Sequence, residues 1–211
     1  MKIPTALFCL FVLALAADAR AQQWDSAGQL ALLNRNKADL GGSDQWYSVA
    51  AIDGSVGHYW TPHMKLELDV GTAAQGEIDG AEPTAAPALP FPFPRYREHK
   101  LRETTVGATA MYQFFENQWV HPFVGVGAEL VHERHVAAGL PATNIAFAMT
   151  PVRLPAVAPV DAVSYSVRPL VTGGFKFYVT PHAFIRTDVR ASLAGDFPAA
   201  LRWRGGLGFD F

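Results

Sequence analysis

Cysteine is nearly absent from this chain of 211 residues. The single one, Cys9, lies in the N-terminal hydrophobic segment. The rest of the sequence therefore offers no disulfide, no thiolate catalysis and no cysteine metal site. An excess of one charge is also missing, since 17 Lys and Arg face 19 Asp and Glu. This balance argues against the basic face that nucleic-acid binding needs, so no nucleic-acid partner is expected. Beyond the N-terminal segment no stretch reaches the roughly 20 apolar residues of a membrane helix, so only strands could cross a membrane.

Hydrophobic residues are plentiful, at 50% of the chain, and 12% of the residues are aromatic. This composition predicts a folded protein and not a disordered one. Residues 1–21 are predicted to be a signal peptide, because Lys2 precedes an apolar run at 5–17 and Ala19-Arg20-Ala21 supplies small residues for cleavage. Residues 22–211 are then predicted to form one exported domain.

Side-chain character alternates with a period of two in eight segments, which is the signal of half-buried β-strands. The clearest segment is 183–193, where apolar odd positions alternate with Arg186, Asp188 and Arg190. The other segments lie near 27–36, 46–60, 64–70, 103–114, 120–130, 167–177 and 201–211, and a bulge is expected at Asp53-Gly54. The pattern predicts an all-β fold, an eight-stranded antiparallel up-and-down barrel.

The connections between the segments alternate in length. Tight turns are predicted at 61–62, 116–118 and 180–181, and loops at about 36–45, 77–97, 136–163 and, shorter, 195–198. Short turns at one end and longer loops at the other are typical of outer-membrane barrels, whose turns face the periplasm. An even number of strands then places both termini on the periplasmic side. Proline is frequent in the two longest loops, so neither is expected to be helical.

Alternation by itself leaves open which face is inside. A soluble barrel of the lipocalin type has an apolar interior, whereas a transmembrane barrel has the reverse. The charged face contains both signs, which can neutralise each other in a narrow lumen. Aromatic residues gather near the tight turns, where an interfacial girdle is expected: Trp60, Phe114, Phe115, Trp119, Phe177, Tyr178, Phe209 and Phe211. These features favour the transmembrane barrel.

The predicted lumen charge network follows from the inward register of the strands. It comprises Lys65, Glu67, Asp69, Glu103, Glu129, Arg168, Lys176, Arg186, Asp188, Arg190, Arg202, Arg204 and Asp210. Because eight strands enclose a space that side chains fill, a closed lumen is expected and not an open pore.

The last strand, at 201–211, reads LRWRGGLGFDF, with Trp203, Leu207, Phe209 and Phe211 at alternate positions. It resembles the C-terminal signature of bacterial outer-membrane proteins, and with eight strands the chain is similar to the small OmpA-like and OmpX-like barrels. The resemblance implies a bacterial outer-membrane location and recognition of these four residues as an assembly signal by the outer-membrane assembly machinery. The partners expected in the membrane are outer-membrane lipid and lipopolysaccharide.

The favoured function is a non-enzymatic integral outer-membrane protein, without cofactor, that serves envelope structure or surface interaction. Two alternatives remain open. The apolar loop segments Leu89–Pro94 and Ile145–Met149 could bind a small hydrophobic molecule and pass it laterally into the membrane. A lipid A-modifying enzyme would instead need a serine, a histidine and a carboxylate together on the outer face.

Histidines supply the remaining candidate sites. His63, His121 and His182 follow tight turns and are expected to point inward; they are the candidates for a zinc site, although hydrogen bonding within the lumen is the favoured interpretation. The repeated Thr-Pro-His at 61–63 and 180–182 predicts a shared turn, with proline as the first strand residue. A second cluster comprises Glu129, His132, Glu133, Arg134 and His135, with Ser164 or Ser166 on the next strand as the nearest serine. A solvated rim is the favoured interpretation of that cluster, and no catalytic residue is predicted.

Overall fold

The computed structural model describes residues 23–36, 46–84, 93–115, 119–147, 150–194 and 197–211. The predicted signal peptide and the loop residues 37–45 lie outside these ranges. The described residues form eleven β-strands, and no helix among them could span a membrane. The strands are β1 Trp24–Asn36, β2 Trp46–Tyr59, β3 Met64–Ala73, β4 Gly76–Thr84, β5 Phe93–Gln113, β6 Val120–Ala137, β7 Thr143–Phe147, β8 Thr150–Leu154, β9 Val160–Tyr178, β10 Ala183–Ala194 and β11 Phe197–Asp210.

Eight of these strands close into a ring by antiparallel pairing, in the order β1, β2, β3, β5, β6, β9, β10 and β11. The ring closes where β1 pairs with β11, from Asp25↔Asp210 to Arg35↔Ala200. Strand β4 continues β3 after a break at Ala74 and Gln75 and pairs with the same partner, β5. Strands β7 and β8 form a separate hairpin. The predicted all-β, eight-stranded antiparallel barrel is confirmed.

The two faces of the wall differ sharply in chemistry. Leu30 and Val167 on the outer face are 73% and 72% exposed, whereas Arg186 and Glu67 on the inner face are 0% exposed. This is the reverse of a soluble barrel with an apolar interior. An apolar outer wall around a polar interior is the arrangement of a transmembrane barrel, so the predicted orientation of the faces is confirmed.

The outer apolar band has the height of a membrane core. Thr104 within β5 and Phe114, the residue directly after β5, lie at the two edges of the band, ten residues apart. At about 3.3 Å per residue and a strand tilt of about 40°, this interval is about 25 Å high, the height expected of a transmembrane barrel. The aromatic residues near the turns mostly face outward, but Tyr178 does not: its hydroxyl donates a hydrogen bond to Asp210 in the lumen. The assignment of Tyr178 to the girdle was therefore wrong.

Several predicted loops and irregularities differ from the structure. Residues 77–97 do not form one long loop, because β4 and β5 stay paired from Gly76↔Leu101 to Thr84↔Phe93. The prolines of this region favour a loop in the sequence pattern. In the structure Pro83 pairs with Pro94 close to the end of the β4–β5 pairing, where missing N–H groups are tolerated. The loop predicted at 136–163 contains the β7–β8 hairpin. No bulge occurs at Asp53-Gly54, where pairing is continuous; a register shift lies between Ser192 and Leu193.

The two Thr-Pro-His tripeptides do form the same turn. In each, the threonine Oγ1 accepts hydrogen bonds from the backbone N–H groups two and three residues further on, at 3.3 and 2.9 Å. The prolines lie within the turns and not at the first strand residue, since β3 begins at Met64 and β10 at Ala183. We call this end of the barrel, which also holds Trp24 and Phe211, the turn end, and the opposite end the loop end.

Candidate functional site: the charge-filled lumen

All thirteen side chains of the predicted lumen network point into the barrel. Among those that form ion pairs, the side chain of Arg168 is the most exposed, at 12%. Four further charged residues join them: Asp25, Arg35, Asp53 and Glu133. Sequence alternation missed Arg35 and Asp53 because inward positions on their strands also hold Leu33 and Ala51. Asp25 and Glu133 were missed because they lie outside the predicted segments 27–36 and 120–130. They could have been found by assigning every charged residue of a strand to one of its two faces by alternation from a residue already known to point inward.

The layer nearest the turn end is built on two lysines. Lys65 Nζ lies 2.8 Å from Asp25 Oδ2, and Lys176 Nζ contacts the same carboxylate and also Asp210 Oδ1, at 3.3 Å. The Tyr59 hydroxyl donates to Asp25 at 3.0 Å and accepts from Lys176 at 2.7 Å. Two cations and two carboxylates therefore neutralise each other across β1, β3, β9 and β11.

The next layer centres on Arg186 and Asp188. Arg186 Nη1 lies 2.5 Å from Glu67 Oε2, and its Nε lies 2.8 Å from Asp188 Oδ2. Arg204 Nε pairs with the other oxygen of Asp188 at 2.6 Å. Gln29 adds a hydrogen bond to Asp188 at 3.1 Å. This layer again contains two cations and two anions, and its ion-pairing side chains are at most 1% exposed.

The third layer contains a bidentate pair. Arg190 Nη1 and Nη2 lie 2.5 and 2.9 Å from the two oxygens of Asp69. Beside this pair, Arg202 Nη1 lies 3.0 Å from Asp53 Oδ1, and its Nη2 lies 3.1 Å from Glu103 Oε1. Paired guanidinium and carboxylate groups are the usual way in which charges are accommodated in a buried space.

The layer nearest the loop end is richer in carboxylates. Arg35 contacts both Glu103 and Glu133, and Arg168 lies 4.0 Å from Glu103. The Ser192 hydroxyl donates to Glu129 at 2.5 Å. On the side of the barrel formed by β1, β2, β3 and β11, small and apolar side chains complete the filling: Leu33, Ala51, Ala73 and Ala200. Side chains thus occupy the lumen from one end to the other, as the narrow radius of eight strands requires.

Above the lumen, Arg97 ties the loop-end segments together. Its guanidinium donates to Glu82 Oε1 at 2.6 and 2.9 Å and to the carbonyls of Ala158 and Ala138 at 2.9 and 3.2 Å. The hairpin β7–β8 contributes a small apolar cluster, in which Val152 and Leu154 are buried with Phe93 and Ile145 packed against them. Phe93 and Ile145, which belong to the two apolar loop segments, therefore pack against other residues of the protein. Residues 89–92 and 148–149 of these segments lie outside the described ranges.

Beside Arg97, two histidines pack face to face at the loop end. His99 Nδ1 lies 2.8 Å from His135 Nε2, and His99 Nε2 lies 3.6 Å from Glu82 Oε1. Burial lowers the pKa of His99 below its ordinary value of 6.5, and His135 and Arg97 lower it further, against the opposing effect of Glu82. His99 is beyond the apolar band, so water reaches this end of the barrel.

Acidification is therefore expected to loosen the loop end. A lowered folded-state pKa means that the unfolded chain takes up the proton more readily, so the stabilisation by neutral His99 is present above pH 6.5 and is lost as the pH falls below it. Hydrogen exchange of β4 and of residues 93–100 should accelerate between pH 7.5 and 5, after correction for intrinsic rates. His99→Gln should abolish this extra acceleration, whereas His182→Gln, at the turn end, should leave it unchanged. Equal acceleration in both variants would contradict the assignment.

The three histidines considered for zinc do not share a site. His63 stacks on the ring of Tyr112, which faces outward, while His121 contacts Gln113 and Tyr178, and His182 is exposed. His182 is exposed within its turn and is not enclosed in the lumen, so the expectation that all three lie inside the barrel is not met. Within the described residues, no group of three or more His, Cys, Asp or Glu is arranged to hold a metal ion.

The second histidine cluster is divided between the two faces of β6. Glu129 and Glu133 face the lumen, whereas His132 and Arg134 face outward. The register pairs His132 with Tyr165, so Ser164 and Ser166, one position to either side, point to the opposite face from His132. The idea that either serine approaches His132 was wrong, because successive side chains of a strand alternate between faces. These residues do not form a Ser-His-carboxylate triad.

No protein-family profile and no curated protein sequence matches the chain. Solved structures do. OprG from Pseudomonas aeruginosa is 12% identical with a TM-score of 0.54, covering 91% of this chain and 97% of OprG. Neisserial surface protein A (NspA) is 16% identical with a TM-score of 0.53, covering 89% and 97%. The Yersinia pestis attachment invasion locus protein, Ail, in complex with the heparin analogue sucrose octasulfate is 12% identical with a TM-score of 0.50, covering 90% and 99%.

The chain has the fold of the small outer-membrane β-barrels. At these identities the likeness concerns architecture: the antiparallel ring and the outward apolar wall. The resemblance inferred from the last strand is confirmed at that level.

Proposed function

We propose that this protein is a non-enzymatic integral protein of the bacterial outer membrane, with a sealed lumen and with loops that serve envelope structure or surface interaction. The observation that carries the proposal is the charge compensation inside the barrel, where each of the two layers nearest the turn end holds two cations and two anions and both arginines of the third layer pair with carboxylates. An ion entering this space would have to displace paired, desolvated charges, which is costly. The lumen thus acts as packing.

The orientation proposed in the membrane follows the asymmetry of the connections. The turn end, with Trp24 and Phe211, faces the periplasm, and the loop end faces the cell exterior. Trp203, Leu207 and Phe209 are 54%, 65% and 43% exposed on the outer wall, and the backbone of Phe211 pairs with that of Trp24. These four residues of the last strand are proposed as the segment that the outer-membrane assembly machinery recognises, and the outer wall is proposed to contact lipid and lipopolysaccharide.

Lateral transport of a hydrophobic molecule is less well supported than a structural or surface role. Each wall strand pairs with both of its neighbours, so the described wall has no seam between strands. The described apolar loop residues also pack on one another. A surface role has one precedent among similar folds, since Ail was solved with a sulfated heparin analogue.

A planar lipid bilayer tests the sealed lumen directly. Residues 22–211, refolded and shown by vesicle flotation to be inserted, should give no stable conductance steps in 1 M KCl, because paired charges fill the barrel. A larger porin inserted under the same conditions serves as the positive control. Reproducible unitary steps from the inserted barrel would overturn the sealed lumen, and failure to float with vesicles would overturn the membrane assignment itself.

A further inference from the structure

A basic groove lies on the outer wall, just beyond the apolar band towards the loop end. It is lined by Arg102, Thr104, His132 and Arg134, and encloses about 250 Å³. The register places Arg102 directly opposite Arg134, and Thr104 directly opposite His132, on the paired strands β5 and β6. The groove is smaller than the 300 Å³ or more typical of drug-sized pockets, so it fits a headgroup and not a whole lipid.

The charges of the groove are only partly balanced by the protein. Like charges directly opposite each other on neighbouring strands are destabilising. Arg134 is compensated by Asp161, to which its Nε and Nη2 donate at 3.1 and 2.9 Å. Within the described residues, Arg102 has neither an ion pair nor a hydrogen bond. Arg134 also keeps N–H groups beyond the two that Asp161 engages. The groove therefore has guanidinium donors available for an additional anion.

The height of the groove indicates the source of that anion. Towards the turn end, the next outward pair is Val106 and Leu130, which are 56% and 46% exposed. Arg102 is therefore four residues above the last apolar pair, at the level where hydrocarbon gives way to lipid headgroups in a band about 25 Å high. The exposed ring of Tyr165, 4.9 Å from His132, is an interfacial residue of the same kind. A phosphate belonging to a membrane lipid would be held at this height.

We propose that Arg102, His132 and Arg134 bind a phosphate group of an outer-leaflet phosphoglycolipid. This inference rests on the proposed outer-membrane location. The planar guanidinium groups supply paired donors that match phosphate oxygens, and Thr104 and His132 supply donors on the side of the hydrocarbon. Bound phosphate would relieve the repulsion between the opposed arginines.

The test uses bisphosphorylated lipid A as the probe, titrated in detergent micelles onto the refolded full barrel and followed by ³¹P NMR. Removing Arg102 takes away a charge-assisted contact, so Arg102→Gln should weaken binding by roughly tenfold to a hundredfold. Arg102→Lys keeps the charge but loses the planar fork, and should fall in between. Lys100→Gln removes the same charge from the same face of β5, where Lys100 already pairs with Glu98 at 2.9 Å, and should bind as the wild type does.

Further arms separate the alternatives. Dephosphorylated lipid A should bind at least tenfold more weakly to the wild type, and inorganic phosphate at equal concentration should not compete. If Arg102→Gln and Lys100→Gln lose affinity equally, non-specific attraction replaces the proposed site. If inorganic phosphate competes, the site is a free-anion site and the lipid assignment is overturned. Wild-type barrel that inserts into vesicles but does not distinguish the two lipid A forms would overturn this inference alone, whereas failure to insert would overturn the proposed function.

Discussion

Replacing Arg190 with methionine is expected to lower the free energy of unfolding by about 3–5 kcal/mol, the cost of leaving one member of a buried ion pair uncompensated. Asp69 accepts hydrogen bonds from Nη1 and Nη2 of Arg190, at 2.5 and 2.9 Å, and both side chains are 0% exposed. Methionine fills much of the arginine volume, so the loss is one of charge compensation more than of packing. Urea unfolding of the barrel in lipid vesicles, followed by tryptophan fluorescence, measures the change.

Two controls assign this loss to the pair. Arg153→Met removes an exposed arginine of β8 and should change the unfolding free energy by less than about 0.5 kcal/mol, as is usual for surface substitutions. The double variant Asp69→Asn/Arg190→Met removes both charges and should be more stable than Arg190→Met alone. A loss below about 1 kcal/mol in Arg190→Met, or a double variant that is less stable than either single variant, would contradict a compensated lumen. A variant too unstable to refold would support the prediction only if the double variant refolds.

The wall of this barrel was predictable because one rule governs it. Along a strand such as β10, alternate residues meet lipid and lumen, so Arg186, Asp188 and Arg190 separate cleanly from Ile185 and Val189 in the sequence alone. Turn lengths then indicated the up-and-down order. Where the sequence departed from alternation, for example at the lumen-facing Leu33, the neighbouring Arg35 was missed even though it is buried.

The loop end was harder to predict because its strands continue beyond the membrane band. Above the band the outer face no longer meets lipid and carries polar residues, so the apolar and polar alternation weakens while backbone pairing persists, as in β4 and the outer part of β5. Pairing partners across the lumen were equally hidden. Strand parity says that Arg190 points inward, but only the three-dimensional arrangement shows that its partner is Asp69, which is 121 residues away in the sequence. The division of Glu129 and His132 between opposite faces, in contrast, could have been read from their odd separation of three residues.

Gly71→Ala is expected to destabilise the barrel by roughly 3 kcal/mol, although it adds only one methyl group. Gly71 faces the lumen on β3, and a Cβ there would lie 1.9 Å from Asp53 Oδ1, 2.8 Å from Arg202 Nη1 and 3.0 Å from Thr105 Oγ1. The methyl group must push apart a buried ion pair whose nitrogen and oxygen are 3.0 Å apart. The expected cost combines the overpacking of a filled interior with the partial loss of charge pairing, at about 1–3 and 3–5 kcal/mol respectively when each is complete.

Gly54→Ala is the matched control for this prediction. Gly54 lies on the adjacent strand β2, and a methyl group added there would meet no described atom within 4 Å other than those of its chain neighbours. Its unfolding free energy should stay the same or rise by about 0.5–1 kcal/mol, because alanine is favoured over glycine within a strand.

Asp53→Ala then identifies the group through which Gly71→Ala acts. If the added methyl group works by displacing the Asp53 carboxylate, Gly71→Ala should cost much less in the Asp53→Ala background than in the wild type. Equal costs in the two backgrounds would place the clash elsewhere, on Arg202 or Thr105, and would remove Gly71 as the residue that leaves room for the Asp53–Arg202 pair.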